Sequence, residues 1–257
     1  MRVLIVTDLE GISCVDSIDM IFQQVPYRKA CEYLMADVNA AVDGAFLAGA
    51  TQVTVLDGHG GGDNFIPSLL DPRADQMPAA HYVHNPVEGY DALMCVGAHA
   101  MAGTENAFLD HTQSSQTWFD YCINGKPQGE IAQEAYFMGA YGTPLVMVSG
   151  DAAACREAEN LVPGVATACV KEAKGRNAAQ CLPLSETVER IRQAAKAGVE
   201  RCREIKPLTL AMPTELSLTL CRNDYCDSAM HPGLRRSGRT IYKTIENITT
   251  YADLVIF

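Results

Sequence analysis

The chain has 257 residues, of which 48% are hydrophobic and 20% are charged, so it is long enough to bury the core of a globular protein. Its formal net charge of −11 would repel a phosphate backbone, so we expect no nucleic-acid partner. No apolar run approaches the roughly 18 residues of a membrane span, so we expect no membrane partner. The ten cysteines are scattered without a CxxC pair and no secretion signal is evident, which predicts a cytoplasmic protein.

Short apolar runs alternate with segments of helical periodicity along the first 170 residues. Each apolar run is rich in β-branched residues, which is typical of a buried strand. We also expect a strand around Tyr82, between His81 and His84, and a turn at Asn124-Gly125. The pattern predicts strands at 2–7, 51–56, 91–98, 117–123, 144–148 and 166–170, and helices at 26–50, 129–142 and 151–161.

This alternation predicts an α/β fold with a mainly parallel sheet flanked by helices. The pattern loosens after an amphipathic helix at 185–205, because Pro207 and Pro213 interrupt the sequence that follows. Two further strands are expected, at 215–220 and 239–244. We therefore predict an α/β domain over 1–205 and a smaller α+β portion over 206–257, which is either a separate unit or an integral part of the same domain.

Ionisable residues follow the predicted strands at the point where each strand ends. In an open α/β sheet the carboxyl ends of the strands meet at one edge, where ligands bind. Imidazole and carboxylate groups gathered there suit a divalent metal of the zinc type. The residues concerned are Asp8 and Glu10 after the first strand, Asp57 and His59 after the second, His99 after the third, and Glu130 at the start of a later helix.

Asp8 and Glu10 are separated by one residue, so at an extended strand end their side chains would point the same way. Asp8 could then bridge two metals while Glu10 holds one of them, and such a pair can hold and activate a water. Each residue also has an ordinary interpretation. The acids could be helix caps or first-turn residues favoured by the helix dipole, and the histidines could be loop residues bonded to backbone carbonyls.

The glycine-rich loop at 58–62 allows two other interpretations. A phosphate cradle would need GxGxxG or GxxxxGK[ST], and neither is present. An esterase oxyanion loop would need a GxSxG elbow, but the segment around Ser149 lacks the first glycine. His111, in the loop after His99, is a candidate for proton transfer or nucleophilic attack, and the alternative is a solvated loop histidine.

Taken together, these motifs resemble the M55 family of metallopeptidases, the D-aminopeptidases. The resemblance runs from residue 1 to about 205 and continues more weakly to the end. Its matching stretches are Asp8-Leu-Glu-Gly-Ile-Ser13, Asp57-Gly-His-Gly-Gly61, Gly97-Ala-His-Ala-Met-Ala-Gly103, Asp110-His-Thr112, Asn124-Gly-Lys-Pro-Gln-Gly-Glu130 and Pro144-Leu-Val-Met-Val-Ser-Gly-Asp151.

The resemblance implies a two-zinc aminopeptidase that acts on short peptides with an N-terminal D-residue, such as D-Ala-D-Ala. It implies His111 as the catalytic residue and a ring-shaped homo-oligomer, a decamer in characterised relatives, with the sites facing an inner channel. The alternatives are another dinuclear hydrolase, for phosphoesters or non-peptide amides, and a protein that binds metal or dipeptide without turnover. The metal ligands implied by the resemblance are Asp8, Glu10, His59, His99 and Glu130.

Overall fold

The computed structural model describes residues 1–255, which form twelve strands and eight helices. The strands are β1 (Arg2–Thr7), β2 (Gln52–Asp57), β3 (Ala74–Met77), β4 (Ala92–Ala98), β5 (Trp118–Ile123), β6 (Lys126–Pro127), β7 (Leu145–Asp151), β8 (Ala166–Gly175), β9 (Ala178–Cys181), β10 (Thr214–Leu220), β11 (Arg235–Ser237) and β12 (Thr240–Ile245). The helices are α1 (Asp19–Phe22), α2 (Gln24–Leu47), α3 (Ala79–His84), α4 (Glu130–Ala140), α5 (Ala152–Leu161), α6 (Leu184–Glu200), α7 (Asn223–Ala229) and α8 (Ala252–Val255).

The main sheet has seven strands in the order β3-β2-β1-β4-β7-β8-β9. All neighbouring pairs are parallel except β8 and β9, which are antiparallel. The predicted α/β fold with a mainly parallel sheet is therefore confirmed. Because the parallel strands run in one direction, the chain leaves β1, β2 and β4 at the same edge of the sheet.

Two pairs of helices cover this sheet. α2 packs along α6, and α4 packs against α5, while members of both pairs contact the strands. β4 and β7 are buried along their whole length, because helices cover a parallel sheet on both sides. The Asp151 side chain accepts a hydrogen bond of 2.8 Å from the Ala154 amide, so it caps the N-terminus of α5.

A second sheet has five strands in the order β11-β12-β10-β5-β6 and is antiparallel. β5 comes from the first half of the chain, whereas β10, β11 and β12 follow residue 206. This sheet therefore takes strands from both sides of the predicted boundary at 205, and the division into 1–205 and 206–257 stays a prediction. The turn at Asn124-Gly125 joins β5 to β6, and both of its residues have positive φ.

The expected strand around Tyr82 is wrong, because this segment is helix α3. Its one fully buried side chain, that of Tyr82, packs edge-on against Phe137 with ring centroids 5.1 Å apart. A six-residue helix is too short to show helical periodicity in the sequence, and tertiary packing decides its conformation.

The ten cysteines all lie within the described residues and all are free thiols. Among residues 1–255, no helix is both long and apolar enough to cross a membrane.

Candidate metal centre

The carboxyl ends of the main-sheet strands bring the predicted ligands to one place. Asp8 directly follows β1, His59 follows β2, and His99 follows β4. The loop after β1 lies directly on the end of β4, where the Gly11 amide donates to the Gly97 carbonyl at 2.7 Å. Gly97 has a φ of 81°, and a Cβ there would lie 2.3 Å from the Asp8 carbonyl oxygen, so only glycine permits this approach.

The first group of potential ligands consists of Asp8, Glu10 and His59, whose ligand atoms all lie within 4.8 Å of one another. His59 Nδ1 lies 2.9 Å from Asp8 Oδ1 and 3.0 Å from Glu10 Oε2. Asp8 and Glu10 therefore face the same imidazole, although β1 ends at Thr7 and the two acids occupy a turn rather than an extended strand end.

The second group consists of His99, His111 and Glu130, again within 4.8 Å of one another. His99 Nε2 lies 3.3 Å from Glu130 Oε1, and His111 Nε2 lies 3.9 Å from the same oxygen. The two imidazole rings are stacked with centroids 3.9 Å apart. Each ring places its Nδ1 against a backbone carbonyl, that of Ala100 or Leu109, which leaves Nε2 directed into the site.

Asp8 joins the two groups. Its Oδ1 is the atom that faces His59, and its Oδ2 lies 3.2 Å from His99 Nε2. One carboxylate thus presents a different oxygen to each group, which is the arrangement that a ligand bridging two metal ions requires. The five predicted ligands and His111 all meet here, while their individual roles stay predictions.

Two buried atoms of the cluster lack a hydrogen bond. Glu10 Oε2 and His99 Nε2 are both enclosed, and they face charged groups of the cluster without a hydrogen bond of good geometry. Buried polar atoms of this kind are costly unless something satisfies them, and a divalent cation in each ligand group would satisfy them. The donor set of imidazole nitrogens and carboxylate oxygens also matches zinc. The residues therefore fit a zinc site on the chemistry of their own atoms.

The electrostatics of the cluster favour bound positive charge. Burial lowers the pKa of His59, yet the charge of Glu10 and the contacts that the imidazole makes with the Asp8 and Glu10 carboxylates raise it to about 11. The pKa of His99 is likewise well above its usual value, despite burial, because Glu130 and Asp8 face it. Three carboxylates surround two imidazoles and therefore attract positive charge. Metal ions supply that charge when the imidazoles are neutral.

A buried lysine supports the loop that carries Glu10. The Lys171 ammonium, on β8, donates to the carbonyls of Glu10 and Val15 at 2.6 and 2.7 Å and lies over the Phe108 ring. Burial lowers its pKa to about 8. Asp37 on α2 supports the same loop by accepting a bond of 2.8 Å from the Ser13 amide.

Asp57 has a structural role, because it fixes the glycine-rich loop. Its carboxylate accepts hydrogen bonds from the Asn64 amide and side chain at 2.6 and 2.8 Å. Asn64 in turn donates to the His59 carbonyl at 2.9 Å. Asp57 therefore fixes the position of His59 through Asn64.

The cluster stands between a narrow cavity and an open cleft. The cavity has a volume of about 250 Å³ and reaches Glu134, Tyr82 and Tyr251 on its inner side. The cleft has a volume of about 660 Å³ and is lined by His59, His111 and the glycine-rich loop. Asp8 and Glu130 line both, so a bound molecule can extend from one space to the other across the cluster.

Two residues of the site were missed in the sequence. The Gln113 amide donates to Glu130 Oε1 at 2.6 Å, but its loop carries no pattern that would identify it. Glu134 could have been found, because residues i and i+4 of a helix share a face and Glu134 is four residues after Glu130.

Comparison with known proteins agrees with this geometry. The family model described as "Peptidase_M55: D-aminopeptidase" matches residues 1–255. A curated relative, D-aminopeptidase from Bacillus subtilis (strain 168), is 31% identical over 214 residues, covering 81% of this chain and 77% of the relative. The chain belongs to the M55 peptidase family.

A solved structure gives the same result for the fold. The "Zn-dependent D-aminopeptidase DppA from Bacillus subtilis, a self-compartmentalizing protease" superposes with a TM-score of 0.92 at 26% identity. The match covers 100% of this chain and 96% of that one. The resemblance stated from the sequence and the expected enzyme class, a metallo-aminopeptidase of the D-aminopeptidase type, are confirmed.

Proposed function

We propose that this M55 member is a zinc-dependent aminopeptidase that removes an N-terminal D-residue from short peptides of the D-Ala-D-Ala type. The observation that carries the proposal is the pair of ligand groups joined by Asp8. The names of the relatives support the rest, since the curated relative is a D-aminopeptidase and the solved structure is described as zinc-dependent.

We assign two zinc ions to the site. Asp8, Glu10 and His59 would hold one ion, and Asp8, His99 and Glu130 would hold the other. When bound, zinc acts as a Lewis acid that polarises the scissile carbonyl and lowers the pKa of water. The chain's contribution is to fix the ligands, and Gln113 does so for Glu130 through its backbone amide.

His111 is the proposed catalytic residue. Its Nδ1 lies 2.7 Å from the Leu109 carbonyl, so that nitrogen carries the proton and Nε2 is free to exchange one with the substrate. His111 lines the open cleft, where the leaving part of a peptide would lie. We assign to it uptake of the proton that the attacking water gives up and its delivery to the departing amine, in preference to nucleophilic attack.

The test is hydrolysis of matched D-Ala-D-Ala and L-Ala-L-Ala by the zinc-loaded protein, with zinc content measured by atomic emission. We expect about two zinc ions per chain, because the ligands form two groups. We also expect faster release of alanine from the D-peptide, because the curated relative is a D-aminopeptidase. The His59→Ala variant should lose zinc and activity together. Full activity in that variant, or turnover of p-nitrophenyl phosphate without turnover of either dipeptide, would contradict the proposal.

We further propose that the protein is a cytoplasmic, ring-shaped homo-oligomer. The solved relative is described as self-compartmentalizing, which supports an assembly, and the ten free thiols fit a reducing compartment. A decamer would have ten times the chain mass of 27.8 kDa in light scattering. A monomeric mass at micromolar concentration would overturn the assembly but leave the proposed chemistry standing.

A further inference from the structure

The narrow cavity beside the metal centre contains a carboxyl group that the proposed metal chemistry does not use. Glu134 is only 8% exposed and lies on the α4 face that also carries Glu130. The Tyr82 hydroxyl donates to its Oε2, and the Tyr251 hydroxyl is a second partner. This group is therefore held in place on the inner side of the cavity.

Within residues 1–255, Glu134 has no cationic partner of its own. Among the described residues that line the cavity there is no lysine or arginine, and His99 faces Asp8 and Glu130 instead. Burial raises the pKa of Glu134 to about 8, and the charge of Glu130 adds to the effect, so at neutral pH the empty site holds a proton that it would release to solvent when an ammonium group binds. A buried carboxyl that faces a cavity without a counter-charge is suited to receive a cationic group from a ligand.

The position of the cavity fixes which part of a peptide would enter it. An aminopeptidase cuts after the first residue, so one residue lies on one side of the metal centre and the rest of the peptide on the other. The cavity has room for one residue, whereas the cleft is larger and more polar in its lining, with Tyr27, His59 and Ser114. The leaving part therefore suits the cleft and the first residue suits the cavity.

We propose that Glu134, held by Tyr82 and Tyr251, binds the free α-ammonium group of the substrate's N-terminal residue in this cavity. The inference rests on the proposed function and adds the residue that restricts cleavage to the chain end. A charge-assisted hydrogen bond from ammonium to a buried carboxylate is short and strong, and the two tyrosine hydroxyls satisfy the remaining lone pairs. A blocked N-terminus would leave this carboxyl unpaired.

The Tyr251 side chain connects this group to the metal centre. Gln113 Nε2 donates to the Tyr251 hydroxyl at 3.1 Å, while the Gln113 backbone amide holds Glu130. The same residue therefore fixes a metal ligand and one side of the proposed ammonium site. This link sets the spacing between the bound amine and the scissile carbonyl.

The test measures binding without turnover. D-alaninol carries the ammonium group but no peptide bond, and (R)-propane-1,2-diol replaces that ammonium with a hydroxyl. We expect calorimetry on the zinc-loaded protein to show binding of D-alaninol and at least tenfold weaker binding of the diol. The Glu134→Gln variant, which keeps the shape but not the charge, should bind D-alaninol at least tenfold more weakly than the wild type, with unchanged zinc content.

The matched control is Glu157→Gln. Glu157 is a half-buried residue with an enclosed carboxyl oxygen near the site, but it accepts a hydrogen bond from the Met101 amide and does not line the cavity. Its variant should bind D-alaninol within about twofold of the wild type. If Glu134→Gln unfolds, Tyr82→Phe and Tyr251→Phe serve instead, each with an expected loss of about threefold.

Turnover separates this inference from the proposed function. An ammonium anchor acts equally in the ground and transition states, so Glu134→Gln should raise KM for D-Ala-D-Ala by at least tenfold with little change in kcat. Loss of D-alaninol binding in a protein that never cleaves D-Ala-D-Ala would refute the function and keep the anchor. Unchanged D-alaninol binding in Glu134→Gln, or an equal loss in Glu157→Gln, would overturn the anchor.

Discussion

The two sheets of this protein differ in how their strands are buried and in what they contribute to the site. β4 and β7 of the main sheet are buried along their whole length, whereas β10 of the second sheet alternates buried and more exposed residues. The main sheet supplies Asp8, His59 and His99 from its strand ends. A sheet covered on both sides is a rigid support, and a metal site needs its ligands held to a fraction of an ångström.

The second sheet contributes to the cavity from a distance. The Tyr121 hydroxyl, on β5, donates to the Leu254 carbonyl at 2.9 Å, which fixes the segment that carries Tyr251. No residue of either ligand group lies on a strand of this sheet. The comparison indicates that the main sheet sets the chemistry, while the second sheet and the segment after it shape the space that a substrate enters.

The largest effect is expected where the main sheet presents the bridging ligand. Asp8→Ala removes the one carboxylate that faces both ligand groups, and metal-ion catalysis is worth several kcal/mol. Since about 1.4 kcal/mol is tenfold in rate, hydrolysis of D-Ala-D-Ala should fall on the order of 10⁴-fold, with loss of zinc. Retention of two zinc ions per chain would show that Asp8 does not bridge.

The His111→Ala variant distinguishes a role in proton transfer from a role in metal binding. His111→Ala should reduce kcat by about a hundredfold or more, the usual contribution of a general acid or base, while zinc content stays within experimental error. The matched variant is His59→Ala, which should lose both activity and zinc. If His111→Ala also loses zinc, His111 is a ligand of the second group, where its Nε2 lies 3.9 Å from Glu130 Oε1.

A pair of lysines tests the difference in rigidity between the sheets. Lys171→Met removes the charged donor of two carbonyls, at roughly 1–3 kcal/mol each, and leaves Val15 only the Cys181 thiol at 3.6 Å. The free energy of unfolding, measured with urea, should therefore fall by about 4 kcal/mol. Lys243 on β12 is less buried and donates to the Asp253 carbonyl at 3.0 Å. Lys243→Met should cost about 1 kcal/mol, and equal losses would contradict the comparison.

A smaller effect than that of Lys171→Met is a pH dependence at the same supporting loop. Burial raises the pKa of Asp37 from 3.8 to about 6, although the Ser13 hydrogen bonds lower it. The folded state therefore keeps the proton longer than the unfolded chain, and the stability from this group is lost as pH rises from about 4 to 6. The difference between a pKa of 3.8 and one of about 6 corresponds to about 3 kcal/mol of stability, and relaxation of the folded state reduces this to about 2 kcal/mol.

The measurement for Asp37 compares urea unfolding of the wild type and Asp37→Asn at pH 5 and pH 8. Asparagine keeps an oxygen for the Ser13 amide but does not ionise, so its stability relative to the wild type should increase with pH. A difference that is independent of pH would show that Asp37 titrates as it does in the unfolded chain.

Most of the main sheet and its ligand set could be predicted from the sequence. Buried parallel strands appear as continuous β-branched runs, and 2–7 and 91–98 were predicted within one residue of β1 and β4. The polar residue after each run marks the strand end. Because all parallel strands end at one edge, the order of residues alone predicted that Asp8, His59 and His99 would meet.

Only the tertiary structure decided the pairings that no local pattern records. β5 alternates like any half-buried strand, and nothing in its residues shows that it pairs with β10, about 90 residues later. Helix α3 was mistaken for a strand, because six residues are too few to show a period. The hydrogen bonds that join Tyr82 and Tyr251 to Glu134 link three distant segments, so the proposed ammonium site could be found only once the chain was folded.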